Sequence, residues 1–106
     1  MYTPDNWVIL KIIAKEGTFY KILAGWSGGY LDGDAWRMNS GITSFTQEGD
    51  YISFNGYSGS IYKCYKGSEK LRMNNAGIYT QLTEAHPDRV SLIKFKDFKK
   101  EFKEEL

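Results

Sequence analysis

The sequence contains few of the residues that support covalent, metal or nucleophilic chemistry. It has one cysteine, Cys64, and one histidine, His86, among 106 residues. A single cysteine excludes a disulfide framework within the chain and a multi-cysteine metal site, and it is typical of a reducing compartment. We therefore expect a cytoplasmic protein without a structural metal.

An excess of charge of one sign is also lacking. Fourteen basic and thirteen acidic side chains leave a net charge of +1. Binding to double-stranded nucleic acid depends on many phosphate contacts by Lys and Arg, so this balance argues against it. The apolar run from Trp7 to Ala14 is much shorter than a membrane span and is interrupted by Lys11. The sequence therefore predicts neither duplex binding nor membrane insertion.

Motifs for catalysis, phosphate binding and calcium binding are absent or incomplete. No G-x-G-x-x-G or P-loop spacing occurs, and no serine or cysteine motif accompanies His86. Asp32 and Asp34 begin like a calcium loop, but Trp36 and Thr43 stand at its fifth and twelfth positions. We expect a protein that is not an enzyme and has no cofactor or metal. A hydrolase using Asp32, Asp34 or His86 as acid and base is the weaker alternative.

Aromatic residues and glycines, by contrast, are abundant. Tyr, Phe and Trp make up 16% of the chain, which has eleven glycines and two prolines. Both alternating sets of residues 7–13 are apolar, which predicts a central strand covered on both faces. The strand candidates are Trp7–Ile13, Phe19–Trp26, Ile42–Thr46, Tyr51–Gly56, Ile61–Lys66 and Val90–Phe95. Short glycine turns join the first two and the next three of them. They predict an antiparallel meander-type sheet of about five to six strands.

One short helix is predicted after the strands. Ile78, Leu82 and Ala85 share a helical face, and the chain turns at a proline shortly afterwards. Asn74 or Asn75 is expected to cap the helix, because asparagine side chains accept hydrogen bonds from the free N–H groups at a helix start.

The charged C-terminal segment has a second helical pattern. Phe98, Phe102 and Leu106 follow one another at intervals of four and form one apolar stripe. We expect this amphipathic helix to dock on the sheet or on a neighbouring subunit, and the excess of aromatic residues favours a homo-oligomer. The predicted fold is therefore α+β, with one short helix and a C-terminal amphipathic helix in a single domain, residues 1–106.

An Arg-Met-Asn step occurs twice, in "WRMNSGI" and in "LRMNNAGI". The first copy ends a stretch from Gly25 to Ser40 whose glycines and aspartates predict an exposed irregular loop. The second copy precedes the short helix. Two copies are too few for a repeat array, and chance reuse of turn chemistry is the simpler explanation.

If the copies are functional, their side chains suit a small planar or anionic ligand. Arginine can donate two parallel hydrogen bonds to phosphate or carboxylate, amides can recognise the edges of a base, and aromatic rings can stack on it. The candidate ligand-binding residues are Trp26, Tyr30, Trp36, Arg37, Asn39, Tyr57, Arg72, Asn74 and Asn75.

The segments "GWSGGYLDGDAWRMNSGI", "GYSGSIYKC" and "LRMNNAGIYTQL" resemble a group of small uncharacterised proteins encoded by tailed bacteriophages. The resemblance covers roughly residues 6–90, and the charged tail after Phe95 lies outside it. It implies a virus-encoded accessory protein that acts in the bacterial cytoplasm, and proteins of that kind often antagonise host defence. It implies no catalytic residues.

Two functions follow as hypotheses. The first is a binding protein that sequesters a nucleotide-like small molecule, using the loop 25–40 and the turn 72–75. The second is a protein-interaction module that occludes a host protein with Trp26, Tyr30 and Trp36 as anchors, because interface hot spots favour the same residue types. The sequence does not separate the two.

Overall fold

The chain forms two antiparallel sheets and two helices, described here from a computed structural model that covers residues 1–29 and 33–102. The elements are β1 (Asn6–Ala14), β2 (Gly17–Gly29), β3 (Gly33–Met38), β4 (Ile42–Glu48), β5 (Tyr51–Gly56), β6 (Ile61–Tyr65), α1 (Met73–Ala85), β7 (Val90–Ile93) and α2 (Phe95–Glu101). The predicted α+β class is confirmed. The strands, however, form a four-stranded sheet in the order β3-β2-β1-β7 and a three-stranded sheet in the order β4-β5-β6, where one meander was expected.

The four-stranded sheet is covered on both faces. On one face, Trp7 and Ile9 pack with the buried side chains of the three-stranded sheet and of α2. On the other, Val8 and Leu10 pack against the apolar side of α1, which includes Leu82. Strand β1 pairs with β2 and β7 and so lies inside the sheet. This confirms the prediction of a central strand that both alternating sets of side chains bury.

Residues 26–29 and 33–38 of the glycine-rich stretch are strand where an irregular loop was predicted. Strand β2 continues to Gly29, and β3 pairs back on it, with Met38 opposite Leu23 and Trp36 opposite Gly25. The prediction was wrong because the pairing shifts register between Trp26 and Gly29, and such a bulge breaks the alternation by which a strand is recognised. Tyr30 and Asp32 lie outside the described residues.

The N-cap residue of helix α1 lies two or three residues before the predicted asparagine cap. Arg72 has extended backbone and is the N-cap residue, and its N–H donates to Asn75 Oδ1 over 2.9 Å. The asparagines lie inside the first turn because the sheet binds their side chains. His86 follows the last helical residue as expected, and its N–H donates to Leu82 O.

Helix α2 is docked on the molecule's own sheets. Phe98 is fully buried and Phe102 is half-buried. The Phe98 ring lies 5.2 Å from the ring of Tyr20 and 5.5 Å from that of Phe45, measured between centroids. Leu106, the third member of the predicted stripe, lies outside the described residues. Neither α1 nor α2 is long and apolar enough to cross a membrane, and the described residues contain no other α-helix.

Candidate functional site

Asn39, at the end of the first Arg-Met-Asn copy, binds the backbone of β2. It is buried, its Oδ1 accepts from the Ile22 N–H over 2.8 Å, and its own N–H donates to Ile22 O over 3.1 Å. Its Nδ2 has no hydrogen-bond partner among the described residues. These contacts bind the first residue after β3 to the backbone of β2.

Asn75, in the second copy, binds the next residue of the same strand. Its Nδ2 donates to Leu23 O over 3.3 Å, and its Oδ1 accepts from the Arg72 N–H. The side chain is completely buried. One amide therefore caps the helix and joins it to β2 at the same time.

Asn74 joins three segments of the chain. Its Nδ2 donates to Asn6 Oδ1 over 2.7 Å and to Ser27 Oγ over 2.9 Å, and the Asn6 amide donates back over 3.1 Å. A Cβ atom on Gly25 would overlap the Asn74 amide, so glycine is required at that position. The start of α1 is therefore fixed against β1 and β2.

The two Arg-Met-Asn copies converge through their asparagines, whereas their arginines diverge. Arg37 stands opposite Ala24, whose side chain belongs to the core between the two sheets. Directly opposed residues of an antiparallel pair point to the same face. Arg72 precedes α1, which packs on the other face against Leu23. Within one chain, the two arginines therefore belong to opposite sides of the four-stranded sheet.

Arg37 takes part in an arginine–aromatic cluster, which we define as Tyr2, Trp26, Arg37 and Tyr62. The guanidinium carbon lies 4.7 Å from the centroid of the Tyr2 ring, and Arg37 is exposed. The Tyr2 ring lies 6.2 Å from Trp26, edge to face, and 4.9 Å from Tyr62. Burial raises the pKa of Tyr62, and the Arg37 charge opposes that rise. The cluster thus combines an accessible cation with aromatic rings.

Tyr2 was missed by the sequence analysis. It lies outside every predicted strand, yet it forms an isolated parallel bridge with Tyr62 of β6. Its N–H donates to Ile61 O and its carbonyl accepts from the Lys63 N–H, each over 2.8 Å. No local pattern signals such a contact, because the two segments are about sixty residues apart.

The other candidates that the structure describes are exposed and separate. Trp36 is 48% exposed and shares the α1 side of the sheet with Gly25. Tyr57 is 61% exposed and lines a cavity of about 450 Å³ between the sheets. Arg72 is exposed at the start of α1. None of the cavities found among the described residues is lined by Arg37 together with Trp36, Tyr57 or Arg72.

The described residues form no catalytic constellation. Cys64 is buried, and desolvation together with the Glu69 carboxylate raises the pKa of its thiol, so it is an inert core residue. His86 lies at the end of α1. Within residues 1–29 and 33–102, no three His, Cys, Asp or Glu side chains are grouped as metal ligands. Asp32 lies outside the described residues, and so does the side chain of Asp34.

Comparison with known proteins adds no assignment. The chain matches no protein-family model, no curated protein and no solved structure.

Proposed function

We propose that the protein is a non-enzymatic binding protein that captures a nucleotide-like small molecule at the arginine–aromatic cluster. The observation that supports this proposal is the exposed side chain of Arg37, whose guanidinium carbon lies over the Tyr2 ring at 4.7 Å from its centroid. A guanidinium has five N–H donors, and its interaction with a ring does not consume all of them. Those donors can bind a phosphate while a base stacks on the neighbouring rings.

The buried asparagines support this proposal indirectly. Asn39, Asn74 and Asn75 hold β2, β3 and the start of α1 together through hydrogen bonds within the chain. A surface built on a rigid framework loses less conformational entropy when it binds a ligand. In this proposal the amides position the site, and Arg37 and the rings contact the ligand.

A homo-oligomer is part of the proposal. Because Arg37 and Arg72 belong to opposite sides of one sheet, both can contact a single ligand only if a second copy supplies one of them. Trp36 and Met73, on the α1 side, are 48% and 93% exposed and offer apolar surface for such a contact. In a bacteriophage protein of the kind that the sequence resembles, sequestration of a nucleotide in the bacterial cytoplasm would antagonise a host defence that uses it as a signal.

Isothermal titration calorimetry with a panel of cyclic and linear nucleotides tests the proposal. We expect at least one nucleotide to bind, and Arg37→Ala to weaken it by about tenfold or more, because hydrogen bonds to a charged group are lost. Arg72→Ala should also weaken binding. Arg89→Ala is the matched control, since Arg89 is exposed elsewhere and its loss should change the affinity less than twofold. Absence of binding across the panel, or equal effects of Arg37→Ala and Arg89→Ala, would refute the proposal.

Occlusion of a host protein is a second candidate function, favoured by the exposure of Trp36 on an edge strand. Strand β3 ends the four-stranded sheet, and edge strands with large exposed side chains are common docking surfaces. A pull-down from host lysate should then retain one protein in stoichiometric amount without a small molecule. Trp36→Ala should abolish its retention, and Tyr65→Ala, on the three-stranded sheet, should not. A partner retained equally by both variants would contradict this candidate.

A further inference from the structure

The ring of Tyr2 lies at the centre of the arginine–aromatic cluster. Its centroid is 4.9 Å from that of the Tyr62 ring and 6.2 Å from that of the Trp26 ring. The guanidinium carbon of Arg37 lies over the Tyr2 ring, 4.7 Å from its centroid. Each of these three contacts is a contact with Tyr2. Removal of this one side chain would therefore leave a space bordered by a cation and two rings.

The backbone at Tyr2 is held by few hydrogen bonds. Tyr2 belongs to none of the strands β1–β7 and forms an isolated parallel bridge with Tyr62. Two backbone hydrogen bonds join it to β6, and the carbonyl of Thr3 accepts from Trp26 Nε1 over 3.2 Å. A bridge of this kind opens locally at lower cost than a strand inside a sheet. The Tyr2 ring can therefore leave the cluster while both sheets stay intact.

The space that the Tyr2 ring fills is suited to a flat ring of a ligand. Tyr2 is half-buried and Arg37 is exposed, so the cluster is open to solvent on one side. Tyr62 is buried, and its ring meets the Tyr2 ring with 33° between the two planes. Guanidinium groups and aromatic rings are the groups on which nucleobases stack. Tyr2 thus occupies the position in which a captured nucleotide would place its base.

We propose that the Tyr2 ring is a displaceable internal occupant of a binding slot for planar rings, and that the base of the captured nucleotide takes its place beside Arg37, Trp26 and Tyr62. This inference rests on the nucleotide capture proposed above and adds to it the position of the base and a side chain that competes with it. An internal competitor lowers the apparent affinity by the fraction of molecules in which the slot is open. Loss of the Tyr2 ring therefore strengthens binding, whereas loss of Arg37 weakens it.

Calorimetry of Tyr2→Ala with the panel of nucleotides tests the competition. The variant retains both backbone hydrogen bonds of Tyr2. It should bind about tenfold more tightly than wild type, because one ring contact and one cation contact no longer compete with the base. Tyr2→Phe keeps the ring and should bind like wild type. If the base instead stacks on the Tyr2 ring, Tyr2→Ala will weaken binding. That result, or an unchanged affinity, would overturn this inference and leave nucleotide capture standing.

A ring without a phosphate tests the slot independently of nucleotide capture. p-Cresol is the tyrosine side chain as a free molecule, and a cavity left by a removed side chain can bind such a molecule. At millimolar concentration it should raise the melting temperature of Tyr2→Ala and not that of wild type. Adding Arg37→Ala to Tyr2→Ala should reduce this rise, because the cation beside the slot is lost. Stabilisation by p-cresol without binding of any nucleotide would support the slot and refute nucleotide capture. Absence of stabilisation would overturn the slot.

Tyr51→Ala is the matched control. Tyr51 also lies beside a cation and a ring, with Lys63 Nζ 5.1 Å and the Tyr65 centroid 5.5 Å from the centroid of its own ring. It is 47% exposed on the three-stranded sheet, so its removal leaves an open surface instead of a slot. Equal stabilisation of Tyr51→Ala and Tyr2→Ala by p-cresol would refute the slot. Tyr2→Leu, which keeps apolar cover on Tyr62 but has no ring, is the second variant if Tyr2→Ala does not fold, and it should also bind the nucleotide more tightly than wild type.

Discussion

Asn75→Asp should lower the free energy of unfolding by about 3–5 kcal/mol, although it replaces one atom by another of similar size. The side chain is completely buried, and its Nδ2 donates to Leu23 O. Aspartate has no donor at that position, so a carboxylate oxygen would face a carbonyl oxygen in a site without solvent. The bond from the Arg72 N–H to Oδ1 remains and compensates only in part.

Urea denaturation at pH 7 measures this effect, and Asn55→Asp is its matched control. Asn55 is half-buried, and its Nδ2 donates to Ser44 Oγ, a hydroxyl that can reverse its role and donate to a carboxylate. The control should therefore lose less than about 1 kcal/mol. A similar loss in the two variants would contradict the framework role of Asn75.

The pH dependence of the Asn75→Asp variant supplies a second check. Burial raises the pKa of the introduced carboxyl in the folded state above its unfolded value. The folded state then binds more protons in the window between these two pKa values, so stability relative to wild type falls as pH rises through it. The difference from wild type should consequently shrink between pH 7 and pH 4.5. A difference that is constant over this range would show that the carboxyl is not buried.

Phe98→Ala should lower the free energy of unfolding by about 3–5 kcal/mol, because it removes a completely buried ring from the core between the two sheets. The ring lies 4.7 Å from Phe102, 5.2 Å from Tyr20 and 5.5 Å from Phe45, measured between centroids. Rings packed from a helix and from both sheets cannot collapse into the space, so a cavity remains.

Phe102→Ala is the matched control, since it makes the same change in the residue that follows the same helix. Phe102 is half-buried, so the expected loss is about 1–2 kcal/mol. Thermal and urea denaturation at several protein concentrations measure both effects. The alternative is that the apolar stripe of α2 serves mainly to join subunits. Phe98→Ala would then change the oligomeric state with little change in the free energy of unfolding of a monomer. That result would contradict the docking of α2 on the sheets of its own chain.

The elements that depend on local pattern could be predicted from the sequence. The double alternation of β1, the spacing of Ile78 and Leu82 in α1, and the phenylalanines of α2 all correspond to the faces that the structure buries. The bulge in β2 and the strand β3 could not be predicted from the sequence. Glycines interrupt the alternation of apolar and polar side chains there, and Gly25 pairs with Asn6, which belongs to an earlier strand.

The division of the strands into two sheets could not be predicted from the sequence either. Strand β4 follows β3 after a short connection, and it pairs with β5 instead of continuing the first sheet. Gly41, in that connection, has φ of +131°. A glycine in the sequence permits a positive φ but does not predict it, because glycine adopts negative φ values equally readily. Strand pairing is decided by which faces can be buried together, and this depends on the whole chain.

The candidate site shows the same division. The sequence by itself determined the kinds of side chain available: two Arg-Met-Asn steps, many aromatic rings, and neither a cysteine framework nor a nucleophilic motif. Only the tertiary structure decided that Asn39 and Asn75 bind adjacent residues of β2, that Arg37 lies over the ring of Tyr2, and that Arg72 belongs to the other side of the sheet. Local pattern depends on neighbours a few residues away, whereas the face to which a side chain points depends on the register of strands that come from distant parts of the chain.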